Sequence, residues 1–507
     1  MQYGDSIRLK EKNMIKIHKT GSATGFIPAP DDKGKPITVI GTDAIMDGFD
    51  ETCLTQAINS RGAPGVTEVV LNPDAHAGYG APIGCVMASP THIYPGPVGV
   101  DIKCSMSLIQ FDILDEVLDD KATRRALINE ICKRTPTGAG KGQRHAQHGR
   151  DIDHELGYRM ATEGASEWVC NQLGIPYAWA ERCEDASHVG NDGSTGALQK
   201  RLDIMLAGGY KDRFLGKMQQ VGTYGGGNHF GEAERVEVAD NAKARAAADV
   251  FGLKDGHVAF LSHCGSRGFG HDLAEAQFKT LEKKFDAWGI PYPSGDKKLV
   301  YAPLGTQEAD DYIDDMSLGA NFATVNHLFI NQLVLEAFQE VLPGVNGNFV
   351  YFISHNIARK EVVNNSIQWV HRKGATRAFP AFHHDLKETP FYETGHPILL
   401  PGNPRDGSVI MTALPGAEKS CYSVNHGAGR KMGRKHAFRE LDQKTVDDEL
   451  DGCDIMHNAR SYPRDEAPDA YKDFKEVLKS VEEADLASVV ANLKARFVVK
   501  DASKADD

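Results

Sequence analysis

Hydrophobic and polar positions change their period several times along the chain, and each change marks an element. Between residues 36 and 111, short β-type runs ("ITVIG", "TEVVLN", "GCVMAS", "MSLIQFDI") are separated by Gly/Pro turns. That is the pattern of sheet with turns rather than of regular βαβ units. A helical period follows from about 115 to 133, and then "RTPTGAGKGQRHAQHGRD", a Gly-rich basic loop long enough to act as a flap or substrate-binding segment. Residues 155 to 220 read as mainly helical. Strands return near 257 to 263 ("HVAFLSH") and 348 to 355 ("NFVYFISH"), separated by a long helix from about 308 to 342. The end of the chain, from "EAPDAYKD" onward, reads as helix and then a short strand. No internal repeat and no clear linker interrupts this order. The candidate chemical residues sit at strand ends spread over the whole length, which predicts one large interwoven α+β domain rather than a string of modules.

Composition narrows the class. The 507 residues are 41% hydrophobic and 25% charged, as expected of a globular protein. A net charge of −13 argues against coating nucleic acid with the whole surface but leaves room for a local basic cleft. The opening "MQYGDSIRLKEKNMIKIHKT" has no apolar core of a secretory leader. No run approaches the roughly 18 apolar residues of a membrane span. The longest apolar stretch, "LFINQLVLEAFQEVL", has helical periodicity and is expected in the core. Nine scattered cysteines, an odd number without a CxxC pair, fit a reducing compartment. A cytoplasmic protein with no membrane contact is expected.

Four histidines recur in one setting, closing an apolar run beside Gly or Asn: His229 in "YGGGNHFGE", His263 in "VAFLSHCGSRGFGHD", His355 in "VYFISHNIARKE" and His426 in "YSVNHGAGRK". In "GVDIKCSM", Asp101 and Cys104 stand three residues apart. A lone histidine at a strand end is ordinarily structural and a lone cysteine ordinarily core. Five such places in one chain instead supply the carboxylate, thiolate and imidazole donors of a divalent transition-metal centre. The thiolate of Cys104 can bridge two cations. Ligand softness favours zinc first, with iron, cobalt or manganese served by the same set.

A second signal concerns anions. In "SVNHGAGRKMGRKHAFRE", His426 precedes a Gly-Ala-Gly turn and a basic helical pattern with Arg430, Lys431, Arg434 and Lys435. Helices ordinarily place acids in the first turn, so cations there predict a bound phosphate. Arg267 stands beside another glycine-rich turn, and glycines let backbone N–H groups approach an anion. There is no P-loop and no Rossmann fingerprint, so a nucleotide would have to bind in some other way.

These blocks carry a resemblance. "GVDIKCSM", "GGGNHFGE", "HCGSRGFG", "ISHNIARKE", "VHRKGATRAFP", "HGAGRKMGR" and "EAPDAYKD" closely resemble the RtcB-type RNA-splicing ligases, in the family's order from about residue 37 to residue 500. The resemblance implies a single catalytic domain over 1–507, with central sheets or a sandwich surrounded by helices. It implies an enzyme that uses GTP and Mn²⁺, with two ions expected. Such an enzyme joins RNA ending in a 3′-phosphate or 2′,3′-cyclic phosphate to RNA with a 5′-hydroxyl. By matching, His426 is the guanylylated nucleophile, and Asp101, Cys104, His229, His263 and His355 are the metal ligands. Asn228, Phe230, Glu232, Ser408, Ala428, Gly429, Tyr471 and Lys500 fall where the family contacts the guanylate. Arg267, Arg430 and Arg434 would serve phosphates or RNA. A monomer is expected, and the resemblance leaves room for an activating protein partner in repair or tRNA splicing.

Departures from the family's text bear on this expectation. Where the family reads GVDIGCGMR, this chain has Lys103, Ser105 and Ser107. Lys103, between two ligand positions, must point away from the cations or engage a substrate phosphate. The second reading, a contact to the RNA terminal phosphate, is carried forward. "PGNPRDGS" replaces a PGSMGT-like loop, placing Arg405 and Asp406 near the expected guanine pocket, and Cys264 replaces a serine. Two rivals remain: a metal-dependent phosphohydrolase acting on nucleic-acid ends, which would need no guanine pocket, and an RNA-end binder that does not seal.

Overall fold

The computed structural model describes residues 15–29 and 34–501. The opening segment, read as carrying no leader, lies largely outside them. Among the described residues, no helix is long and apolar enough to cross a membrane.

Two large sheets organise this α+β chain. The first runs, in spatial order, His18–Lys19, Thr24–Ile27, Ile37–Ile40, Glu68–His76, Ile83–Ser89, Ser366–Lys373 and Asn356–Val363. Its pairs are antiparallel except Ile37–Ile40 with Glu68–His76. The second runs Gly347–Ser354, Ser105–Leu114, His257–Cys264, Phe230–Val238, Ala487–Lys500, Gly407–Ala413 and Pro397–Asn403, all antiparallel neighbours. The sheets face each other: Val70, Val86 and Val370 of the first share a buried cluster with Ile398, Leu400, Val409 and Met411 of the second. Full burial of such side chains contributes roughly 1.5–3 kcal/mol each.

Helices pack around the sheets, one of them at the centre of the largest buried cluster. The Gln307–Val341 helix begins on Thr306, whose Oγ1 accepts from the Ala309 amide at 3.3 Å. It matches the predicted span, and it is buried on nearly every face. The helix expected from 115 is Lys121–Arg134, because Asp120 caps it by accepting from the Ala122 and Thr123 amides at 3.2 and 2.9 Å. Residues 115–119 form a 3₁₀ turn ahead of it.

Two expectations need correction. The C-terminal strand is not short: Ala487–Lys500 is 14 residues long and central in its sheet. A register shift between Ala495 and Phe497 breaks its period of two and hides its length from pattern reading. The basic pattern after His426 is not one helix. Helix Arg434–Glu440 starts four residues beyond Arg430, whose backbone instead bridges to Tyr471.

Register brings the chemistry to one end of the second sheet. Ser105 lies opposite both Cys264 and Ser354, and Phe230 lies opposite both His263 and Lys500. Cys104 and His229 enter their strands there, and His263 and His355 leave theirs. The small Ala375–Arg377/Ser423–Asn425 ladder delivers His426 to the same place, pairing Ala375 with Asn425 while the Ala375 amide donates to the His355 carbonyl at 3.1 Å.

Candidate active site

At that end the ligand atoms of Cys104, His229 and His263 converge within 4.8 Å of one another. Cys104 Sγ lies 3.2 Å from His263 Nε2 and 3.5 Å from His229 Nε2. His229 Nε2 is 2.9 Å from Asp101 Oδ2, and His263 Nε2 is 3.4 Å from His355 Nε2. Two of the three outer ring nitrogens are committed: His229 Nδ1 donates to the Tyr224 carbonyl at 2.9 Å and His263 Nδ1 to the Asn228 carbonyl at 3.1 Å, while His355 Nδ1 has no partner among the described residues. For His263 a donor at Nδ1 leaves the Nε2 lone pair of a neutral ring facing inward, whereas His229, although burial opposes its charge, is held well above the usual imidazole range by Cys264, Cys104 and Asp101. Burial, then the neighbouring His355 and His229 rings, hold His263 well below the usual imidazole range, so it stays neutral. Imidazole nitrogens, a thiol and a carboxylate converging at one point are a donor set that suits a cation between them.

His426 lies against this cluster, its ring centroid 4.8 Å from that of His355. Its Nδ1 is 2.7 Å from Oδ2 of Asp74, whose side chain is fully buried, and its backbone N–H reaches the same oxygen at 3.3 Å. Asp74 fixes the ring and leaves Nε2 available. The sequence reading missed Asp74, although "TEVVLNPDAH" ends an apolar run as the histidine segments do. Gly429 is required here: its φ is +73° and a Cβ would fall on the Asp74 backbone.

Beside His426 opens a cavity of about 240 Å³. Asn228, Phe230, Glu232, Ser408, Ala428, Gly429, Tyr471 and Lys500 all line it, together with Arg430 and Arg434. His76, on the cavity wall near His426, was also missed. The hub of the far wall is Glu466, a third residue to which the sequence assigned no role. It accepts from Tyr471 Oη at 2.8 Å and pairs with Lys500 Nζ at 3.1 Å, Arg430 at 3.1 Å and Arg434 at 3.4 Å. Although burial opposes ionisation, Lys500, Arg434 and Arg430 hold its carboxyl down at about 2. The two arginines thus meet at a carboxylate rather than at a helix end, since Arg430 lies ahead of the helix that Arg434 begins. Arg434 also donates to Asn228 Oδ1 at 3.3 Å. Arg405 does not line the cavity; it is held outside by Glu449 at 2.7 Å and Asp406 at 3.1 Å.

Arg267 stands apart from this wall, on the Asp101 side. It donates to Thr223 Oγ1 at 3.2 Å and to the Lys141 carbonyl at 3.3 Å. The Gly-rich loop is tied down there as well, the Gly138 amide donating to the Gly225 carbonyl at 2.7 Å. Gly225, at φ +77°, leaves the space that the Arg267 guanidinium fills.

Lys103 corrects the expectation that it meets an RNA phosphate. Its side chain is fully buried, and Nζ donates to Thr324 Oγ1 at 2.6 Å and the Asp185 carbonyl at 3.0 Å, with His188 Nε2 at 2.8 Å. Of the two directions open to a cation between metal-ligand positions, the structure has the one leading away. Its φ of +52° explains why glycine suits this position. Ser107, similarly buried, sits 2.8 Å from His327 Nδ1, and Cys264 receives an Asn326 amide hydrogen bond at 3.2 Å.

Known proteins place this arrangement. The family model described as "tRNA-splicing ligase RtcB" matches residues 56–501. A tRNA-splicing ligase RtcB of Thermococcus kodakarensis is 32% identical over 96% of this chain and 100% of its own length. One of Pyrobaculum aerophilum is 32% identical over 92% of this chain and 94% of its own length. An "RNA-splicing ligase RtcB homolog 1" of Entamoeba dispar is 35% identical over 89% of this chain and 82% of its own length. With a histidine braced by a buried aspartate between a Cys/His cluster and a cation-lined cavity, and with these matches spanning nearly its whole length, the chain belongs to the RtcB family.

Proposed function

We propose that the protein is a GTP- and Mn²⁺-dependent RNA ligase that joins 3′-phosphate or 2′,3′-cyclic phosphate ends to 5′-hydroxyl ends through a guanylate carried on His426. The observation that carries this reading is the place of His426, braced by Asp74 between the donor cluster and the cavity. Asp101, Cys104, His229, His263 and His355 would hold the metal; the fit rests on the convergence of their donor atoms, with the outer nitrogens of two rings already committed. Metal bound there would supply positive charge to phosphate oxygens during transfer.

The chain's own residues divide the rest. Nε2 of His426 forms a P–N bond to the α-phosphorus of GTP as the bond to pyrophosphate breaks, while the Nδ1 proton stays in the hydrogen bond to Asp74. Arg434 and Asn228 steady the phosphates, and Tyr471, Phe230 and Glu232 meet the base. An oxygen of the RNA 3′-phosphate then displaces the imidazole, a cyclic end having first been opened by one water. The 5′-hydroxyl attacks that activated phosphorus, its proton is lost to solvent, and GMP leaves. A phosphohydrolase would need no base-sized cavity next to the histidine, which disfavours that rival.

The test is incubation with α-labelled GTP and Mn²⁺, followed by a denaturing gel. The wild type is expected to carry an acid-labile label and His426→Ala none. A label that persists in His426→Ala would overturn the assignment.

A further inference from the structure

Behind the cavity lies an acid that neither the family motifs nor the proposed chemistry uses. Glu232 and Glu234 are two apart on the Phe230–Val238 strand, so their side chains share a face. Glu232 lines the cavity and Glu234 does not. Glu234 is fully buried, and neither of its oxygens makes a hydrogen bond of ordinary geometry among the described residues. The polar groups facing it are Glu232 and Ser408. Lys500, from the neighbouring strand, faces Glu232 rather than Glu234, and Tyr462 and Glu466 complete the polar surroundings on the cavity side.

An ionised carboxylate with one serine hydroxyl facing it, sealed from water beside a second carboxylate, is a costly arrangement. One proton shared by the pair removes the cost, and Lys500 decides where the charge sits. We propose that Glu234 is a specificity-determining positioning residue: its protonated carboxyl donates to Glu232 and fixes it as an anion aimed at the N1–H and N2–H₂ donors of guanine. This rests on the guanylate reading above. A purine without that donor edge, such as adenine, would leave the held carboxylate unpaired. The buried setting raises both acids, Glu232 to about 7 and Glu234 well above the carboxylate range, burial being the largest cause for each.

Guanine binding needs Glu232 ionised, so it is full above about pH 7 and lost below. Replacing a neutral donor with another should matter little; removing the donor should not. The experiment measures guanylylation kinetics with labelled GTP from pH 6 to 8. In the wild type, KM for GTP should rise about tenfold from pH 8 to 6, one protonation's worth. Glu234→Gln, whose amide also donates, should stay within about twofold of wild type. Glu234→Leu should raise KM about tenfold at pH 7.5, move the acid limb to higher pH and leave the rate at saturating GTP unchanged. Difference infrared spectra should show a protonated-carboxyl band in the wild type that vanishes in Glu234→Gln, a readout independent of whether Glu234→Leu folds. Wild-type kinetics in Glu234→Leu, an impaired Glu234→Gln, or a missing infrared band would each overturn the inference while leaving the guanylate reading standing. A wild type that forms no adduct with GTP would remove both.

Discussion

Two buried ion clusters in this protein use the same residue types for opposite ends. On the far wall of the cavity, Lys500, Arg430 and Arg434 gather on one carboxylate, Glu466. In the interior, Arg372 pairs with Glu361 at 2.6 Å, Arg377 with Glu184 at 2.9 Å and Arg359 with Glu184 at 3.0 Å, with Asp185 also bound to Arg359. That second cluster matches three guanidiniums with three carboxylates, so the charges that face its own cavity, lined by Glu184, Asp185, Glu361 and Arg377, largely cancel. The first leaves an excess of positive charge facing open space, and it stays stable only because the cavity admits water or an anion. Balance marks structure and imbalance marks function, which is a sharper criterion than counting charged residues.

The largest effect should come from the histidine that the unbalanced cluster serves. Asp74→Asn keeps the shape but frees His426 to carry its proton on Nε2, and adduct formation should fall by about 10³–10⁴-fold with an unchanged melting temperature. Rates measured on matched protein by single-turnover labelling check this; a loss under tenfold would mean that Asp74 does not hold the ring. Next comes the balanced cluster. Arg372→Met strands the buried Glu361 and should cost about 3–5 kcal/mol in denaturant unfolding, with labelling per folded molecule preserved. If stability held while labelling failed, the clusters would have exchanged roles.

Glu466→Gln sharpens the comparison from the other side. It leaves Lys500, Arg430 and Arg434 without their shared anion, so KM for GTP should rise about 10- to 100-fold while unfolding changes less than for Arg372→Met. Its pH signature has a definite sign. Because the folded carboxyl sits near 2, its contribution to stability is full above about pH 4.5 and disappears as pH falls toward 2. Glu466→Gln should erase that segment of the acid unfolding curve, measured by circular dichroism. The smallest effect belongs to Lys103, a cation buried away from the cavity. Lys103→Met should change stability by about 1 kcal/mol or less and leave the salt dependence of RNA binding parallel to wild type. A slope flatter by about one phosphate contact would return Lys103 to the RNA.

Much of the site was legible because metal-ligand candidates announce themselves locally. His229, His263 and His355 each close an apolar run, and Cys104 opens one, so period-two patterning already put them at strand ends. The long helix and the sheet-rich first hundred residues were legible for the same reason. Partners were not. Asp74 lies 352 residues from His426 and Glu466 lies 34 from Lys500, separations that carry no periodic signal. Lys103 shows the limit most clearly: its position between two ligand candidates suggested a phosphate, whereas its side chain runs to Thr324 and Asp185.

By itself, then, the sequence determined which residues could do chemistry and which end of a strand each would occupy, because alternation and turn residues act over a few positions. The positive φ at Lys103, by contrast, is visible only in the structure, since a lysine in the sequence does not announce a left-handed backbone. Only the tertiary structure decided which strand ends would meet. Strand register set Ser105 against Cys264 and Phe230 against Lys500, and a slip of one residue would turn each of these side chains to the opposite face. It alone decided which charges would be cancelled and which left facing the cavity, since a charge in a sequence has no neighbours until the chain has folded around it.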